Sequence, residues 1–163
     1  MNIIEVASKN EIEVFIELVS DKDFKQIRDG KKYSFDWTRY KGKEVYKLQP
    51  LNEDSIKGLM CILDHTDEAT NAIEIELLEV EKDSVGKKKK LDRIAGCLIA
   101  FACRESIKRG HEGFIFLTPK SELVDHYRSK YYLQYLGPMG RNPVGVVTSD
   151  DKIARKLINE YLQ

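Results

Sequence analysis

Hydrophobic and polar positions alternate most cleanly in Ala72–Val80, where Ile73, Ile75 and Leu77 fall on one face and Glu74, Glu76 and Leu78 on the other. A period of two predicts a pleated strand. Asp83 to Gly86 breaks the pattern, and four consecutive lysines, Lys87 to Lys90, follow. The spacing then changes: Leu91, Ile94, Ala95, Leu98, Ile99 and Ala102 recur at helical intervals. Arg104, Lys108 and Arg109 stand in the last turns, where the helix dipole favours cations, and Gly110 supplies the stop. Glu112–Thr118 reads as the next strand. Two strands joined through a helix are most simply parallel, a βαβ unit. A basic loop feeding a helix N-terminus beyond the first strand is a sensible place to hold phosphates.

The remaining chain is read by the same rules. Asn2–Val6 predicts a short strand. Asn10 with Glu13 has the form of a capping box, and Ile12, Phe15, Ile16 and Val19 fit a helical stripe, so a helix is expected over Glu11–Ser20. Phe24 and Ile27 mark a second short helix from Asp21 to Asp29-Gly30. Tyr33–Trp37 and Glu44–Gln49, separated by Lys41–Lys43, read as a hairpin, and Pro50–Asp54 as a turn. Ser55–Leu63 is almost continuously apolar, which suits a strand buried on both faces. Thr118-Pro119 opens a helix whose inward face carries Leu123, Val124, Tyr127 and Tyr131, and Gly137-Pro138 closes it. Pro143–Thr148 is a short strand. Ser149 or Asp150 caps a final helix with Ile153, Leu157 and Leu162 inside. The order β-α-α-β-β-β-α-β-α-β-α predicts an α/β (α+β) fold with a mixed sheet, built as one domain over residues 1–163.

Composition narrows the function. The chain has 163 residues, with 27 basic and 27 acidic side chains and no net charge. Nucleic-acid binding as the main activity is unfavoured, because neutralising phosphates needs a basic surplus. Cys61, Cys97 and Cys103 lie in apolar segments and read as buried, reduced thiols. No signal sequence or membrane-length apolar run is found, so a soluble, cytoplasmic protein is expected. No spacing of His, Cys, Asp and Glu suggests a metal site. There is no Gly-x-Ser-x-Gly elbow and no Walker loop. His65 and His111 stand at segment ends and read as surface residues.

The element order and three stretches together resemble the GNAT (Gcn5-related) N-acetyltransferase superfamily, and in particular its small single-domain bacterial members. The loop Lys90-Leu91-Asp92-Arg93-Ile94-Ala95 is similar to the family's Gln/Arg-x-x-Gly-x-Gly/Ala, the following Gly96–Cys103 and Glu105–Gly110 look like its central helix, and Lys120–Tyr127 is similar to the helix after it. The likeness covers roughly residues 44–137. It implies a mostly antiparallel central sheet flanked by helices and acetyl-CoA as cosubstrate, with an amine acceptor, a small molecule or a protein, attacking the thioester directly. A homodimer is also in keeping with the family.

The resemblance assigns roles as well. Backbone groups of Leu78, Glu79 and Val80 are expected to meet the pantetheine arm and the thioester carbonyl. Lys89, Lys90, Leu91, Asp92, Arg93, Ile94, Ala95 and Gly96 are expected around the pyrophosphate, with Lys90 the foremost lysine. Glu76 or Glu74 would take the amine proton, Glu76 being preferred, and Tyr127 would protonate the departing thiolate. Each has a plainer reading: a solvated lysine loop, polar residues on a half-covered strand, a core tyrosine. Two positions depart from the family pattern, Arg93 and Lys90, the latter standing where Gln or Arg is usual. Arg93 replaces the usual glycine, with a guanidinium able to bind phosphate itself, and Asp92 places a carboxylate where it could compete with an anion. A CoA-binding or regulatory module without turnover, or a protein-interaction module, is the alternative on the same fold.

Overall fold

The computed structural model describes residues 1–138 and 143–163. The strands are β1 (Asn2–Glu5), β2 (Glu11–Leu18), β3 (Glu44–Pro50), β4 (Gly58–His65), β5 (Ala72–Val80), β6 (Leu91–Asp92), β7 (Ile115–Leu117), β8 (Gln134–Leu136) and β9 (Val146–Thr148). The helices are α1 (Asp21–Gly30), α2 (Ile94–Lys108), α3 (Val124–Tyr131) and α4 (Asp151–Tyr161). The strands form one sheet in the order β6-β1-β2-β3-β4-β5-β7-β9-β8. Only β5 and β7, the two arms of the βαβ unit, pair in parallel; the other described pairings are antiparallel.

Alternation along the central strands divides the core between two faces. Tyr46, Leu48, Met60, Ile62, Ile73 and Ile75 join α2 and α4 on one face. Val45, Leu59 and Cys61 join Phe24, Ile27 and Trp37, from α1 and the loop after it, on the other. Residues 59–62 of β4 are sealed on both sides, as their unbroken apolar run predicts. All three cysteines are buried and unpaired.

The structure corrects several expectations. Glu11–Leu18 is a strand, not a helix: β2 lies between β1 and β3, with Ile3 opposite Ile12 and Phe15 opposite Gln49. Ile12, Val14, Ile16 and Leu18 also alternate, and pairing on both edges selects that period over the helical one. The expected Asn10–Glu13 cap is therefore absent. The working capping box is Ser20 with Asp23, at the start of α1. Tyr33–Trp37 is not a strand: Asp36 caps a single 3₁₀ turn over Trp37–Tyr40, and β3 instead pairs antiparallel with β2 and with β4. Leu91 belongs to a two-residue strand paired with β1, and the helix starts at Ile94. Gln134–Leu136, expected to lie within a helix, is the outer strand β8.

A bulge corrects the reading of β5. Cys61 stands opposite Leu77 while Ile62 stands opposite Ile75, so Glu76 is an extra residue and the parity of the strand changes there. Leu77 consequently packs on the Trp37 face, whereas Leu78 and Val80 pack on the α2 face. His111 is buried rather than superficial, its two ring nitrogens hydrogen-bonding Asn71 and Asp64 at 2.6 Å each.

Candidate functional site

The fork between β5 and β7 creates the site. These strands are in register only at Ile73–Ile115 and Glu74–Phe116. Beyond that point β4 continues along the far edge of β5 as far as the Gly58–Val80 pair, but β7 ends at Leu117 and the chain turns away into α3. The near edge of β5 is left facing a cavity of about 670 Å³, with Leu78, Glu79 and Val80 on one wall and Leu123, Tyr127 and Tyr131 on the other. A second cavity of about 300 Å³ shares Val80, Val85, Ala95, His126 and Tyr131 with the first. Together they form one trough from the fork to the start of α2.

The first turn of α2 is open at that end. Arg93 occupies the cap position in the left-handed region, φ 79°, and no side chain caps the helix. The Cys97 N–H makes the first bond back into the turn, to the Arg93 carbonyl at 2.9 Å. The N–H groups of Ile94, Ala95 and Gly96 precede it and have no intrahelical acceptor, a geometry that favours an anion. Asp92 does not cap the helix. Its carboxylate accepts from Lys89 Nζ and from the Arg93 N–H, each at 2.8 Å. Burial pushes the Asp92 pKa up, but these two donors outweigh burial and hold it below the usual value.

The expected cofactor residues are unevenly placed. Leu78, Glu79, Val80, Lys89, Leu91, Asp92, Arg93, Ile94 and Ala95 all border the trough. Lys90 does not: its side chain is exposed, and its backbone carbonyl accepts from Val6 N–H. Gly96 is buried from behind, since a Cβ there would lie 2.1 Å from the Tyr161 ring. The Arg93 guanidinium is occupied by protein groups, donating to the carbonyls of Glu160 at 2.6 Å and Asn2 at 3.3 Å and lying over the Tyr161 ring.

Glu74 and Glu76 do not border the trough itself. Glu74, at the apex of the fork, is hydrogen-bonded to His65 Nε2 at 2.8 Å. Glu76 receives Lys43 Nζ on both oxygens, at 3.0 and 3.3 Å, and the Cys61 thiol at 3.6 Å. Tyr127 does border it, and its hydroxyl has no hydrogen-bond partner among the described residues. Burial raises its pKa, so the phenol is neutral and able to donate.

Sequence reasoning missed part of the wall. Ser34, Phe35, Lys82, Val85 and Lys120 also line the larger cavity. Glu79 accepts from Ser34 N–H at 2.5 Å, Phe35 N–H at 3.2 Å and Trp37 Nε1 at 2.9 Å, which fixes the loop over the trough. An acidic residue late in a strand carries no motif, and its partners Ser34, Phe35 and Trp37 lie more than 40 residues earlier in the chain. Among the described residues no group of three or more His, Cys, Asp or Glu side chains could hold a metal ion. Among the described residues no helix is long and apolar enough to cross a membrane.

No family model matches the sequence, and no curated protein matches it. Solved structures do. A GNAT-family acetyltransferase from Listeria monocytogenes superposes with a TM-score of 0.59 at 15% identity, over 91% of this chain and 97% of that one. A mutant form of the toxin AtaT, bound to the C-terminus of the antitoxin AtaR and to acetyl-CoA, gives 0.56 at 13% identity, over 92% and 99%. The KacTA–DNA complex gives 0.59 at 12% identity, over 91% and 99%. The chain has the GNAT acetyltransferase fold, as its forked sheet and open α2 terminus imply.

Proposed function

We propose that the protein is an N-acetyltransferase that moves the acetyl group of acetyl-CoA to a primary amine without a covalent enzyme intermediate. The observation that carries this is the continuity of the trough. It runs from the unpaired edge of β5, past the Tyr127 phenol, to three free N–H groups at the start of α2. An extended donor with an amide-bearing arm and a pyrophosphate matches those features in order. The arm pairs with the backbone around Leu78–Val80, and the phosphates meet Ile94–Gly96, with Lys89 and Lys130 on the wall beside them. The acetyl-CoA-bound AtaT structure lends support from the same fold.

In the reaction, the amine nitrogen attacks the thioester carbonyl carbon and a tetrahedral adduct forms. Its collapse breaks the C–S bond, and the electron pair leaves on sulfur. A backbone N–H of β5 steadies the oxyanion, and Tyr127 supplies the thiolate's proton. The amine proton passes, through water, to a carboxylate of β5. Glu74 suits this better than Glu76, because it stands where the strands part, whereas both oxygens of Glu76 are engaged by Lys43.

The test is release of CoA thiol when acetyl-CoA is mixed with a panel of amines, small molecules and peptides alike, each product being checked for a mass gain of one acetyl group. Amine-dependent thiol release supports the reading. Tight CoA binding with no transfer to any amine would favour a non-catalytic CoA-binding module on this fold.

A further inference from the structure

We propose that Arg93 is a positioning residue for the donor's phosphates rather than their ligand: it staples the first turn of α2 to the end of α4 and to β1. This rests on the reading of the trough as an acyl-CoA site. Three features of Arg93 lead to it. Its backbone is left-handed at φ 79°, a region costly for any residue with a side chain and rarely kept without a compensating contact. Its guanidinium supplies that contact. Nη2 donates to the Glu160 carbonyl at 2.6 Å, and Nε donates to the Asn2 carbonyl at 3.3 Å. Glu160 is in the last turn of α4, where carbonyls lack intrahelical donors, so a cation there satisfies both the hydrogen bond and the dipole.

The third feature is Tyr161. The Arg93 guanidinium lies over its ring at 4.6 Å, and the same ring rests on Gly96 so closely that a Cβ would meet it at 2.1 Å. Arg93 and Tyr161 therefore grip the first turn of α2 from behind, one at its cap and one at its third residue. The N–H groups of Ile94, Ala95 and Gly96 lie between these grips. Their aim at the trough depends on the last turn of α4, more than 60 residues later in the chain. A glycine at position 93 would reach the same φ without strain but would leave the turn free to rock. With the guanidinium committed to two carbonyls and a ring, and Lys89 held by Asp92, phosphate charge is left to the N–H groups and Lys130.

The experiment is a double-mutant cycle on CoA affinity, measured by calorimetry on the full chain with Arg93→Gly, Tyr161→Leu and the pair, at low and at moderate salt. Each single change should raise Kd about tenfold, the scale of one hydrogen bond to a charged group. The double variant should be little worse than either single one, and the dependence of Kd on salt should match the wild type, since no direct charge–phosphate contact has been lost. Additive losses with a flatter salt dependence for Arg93→Gly alone would make Arg93 a phosphate ligand and overturn the proposal. Unchanged affinity in Arg93→Gly would also overturn it, leaving the transferase reading intact. A wild type that does not bind CoA would overturn both. Melting curves of each variant show whether a loss reflects global unfolding, in which case Arg93→Lys replaces Arg93→Gly and should recover part of the affinity.

Discussion

The Trp37 indole N–H donates to Glu79 Oε1 at 2.9 Å and thereby ties the loop above the trough to the strand beneath it. Two backbone donors, Ser34 and Phe35, converge on the same carboxylate. Trp37 is the chain's only tryptophan and is almost completely buried. Glu79→Ala leaves all three donors without their acceptor. It should cost about 1–3 kcal/mol of stability and shift Trp37 fluorescence to the red. Glu79→Gln keeps one acceptor oxygen and should cost less. Wild-type emission and melting in Glu79→Ala would mean that the loop is held by other contacts.

Gly96→Ala should destabilise the protein although alanine is the better helix former, because the added methyl enters the Tyr161 ring. The expected loss is about 1–3 kcal/mol, typical of overpacking. Combining it with Tyr161→Leu should recover part of the loss, a coupling readable from urea midpoints. Simple additivity would contradict the packing described.

Lys47 Nζ lies 3.0 Å from Asp23 Oδ1, and both residues are buried between α1 and β3. Burial raises the Asp23 pKa, but the Ser20 backbone N–H, Lys47 and the Ser20 hydroxyl together bring it below the usual value. A lowered folded-state pKa adds stability above the unfolded value, about 3.9, and that stability is lost as pH falls through the folded value. Asp23→Asn should therefore be less stable than wild type near neutrality, with the gap narrowing below about pH 4. Urea unfolding across that range checks this, and a gap independent of pH would refute it.

Tyr127→Phe should leave CoA affinity within about twofold and lower turnover about a hundredfold, the lower side of what general acids contribute. Steady-state rates with any accepted amine separate the two effects. Weakened binding with unchanged turnover would reduce Tyr127 to a wall residue.

Much of this architecture is legible in the sequence where one period dominates. Ile73–Leu77 alternates strictly, and the α2 stripe is long enough to outweigh its Gly96. The Glu11–Leu18 segment is not legible in the same way, because Ile12 and Ile16 fit both periods and only flanking strands decide between them. The bulge at Glu76 is likewise set by β4, not by β5, which is why the faces of Leu77 and Leu78 are reversed from their local pattern. Within the site, a helix start after the lysine loop is legible from local spacing, whereas Tyr127 is singled out only by the family resemblance, since its spacing fits a plain core tyrosine. The choice of Lys89 over Lys90 as a wall residue, and the strut from Glu79 to Trp37, depend on register and on contacts 42 residues apart.

The trough's role as a CoA site is tested most directly by the amide resonances of Ile94, Ala95 and Gly96 during titration with CoA. Saturable shifts at these three, accompanied by Leu78 and Val80, with none on adding adenosine, are the predicted result. Amides 94–96 that stay still at millimolar CoA, or shifts confined to another surface, would contradict it.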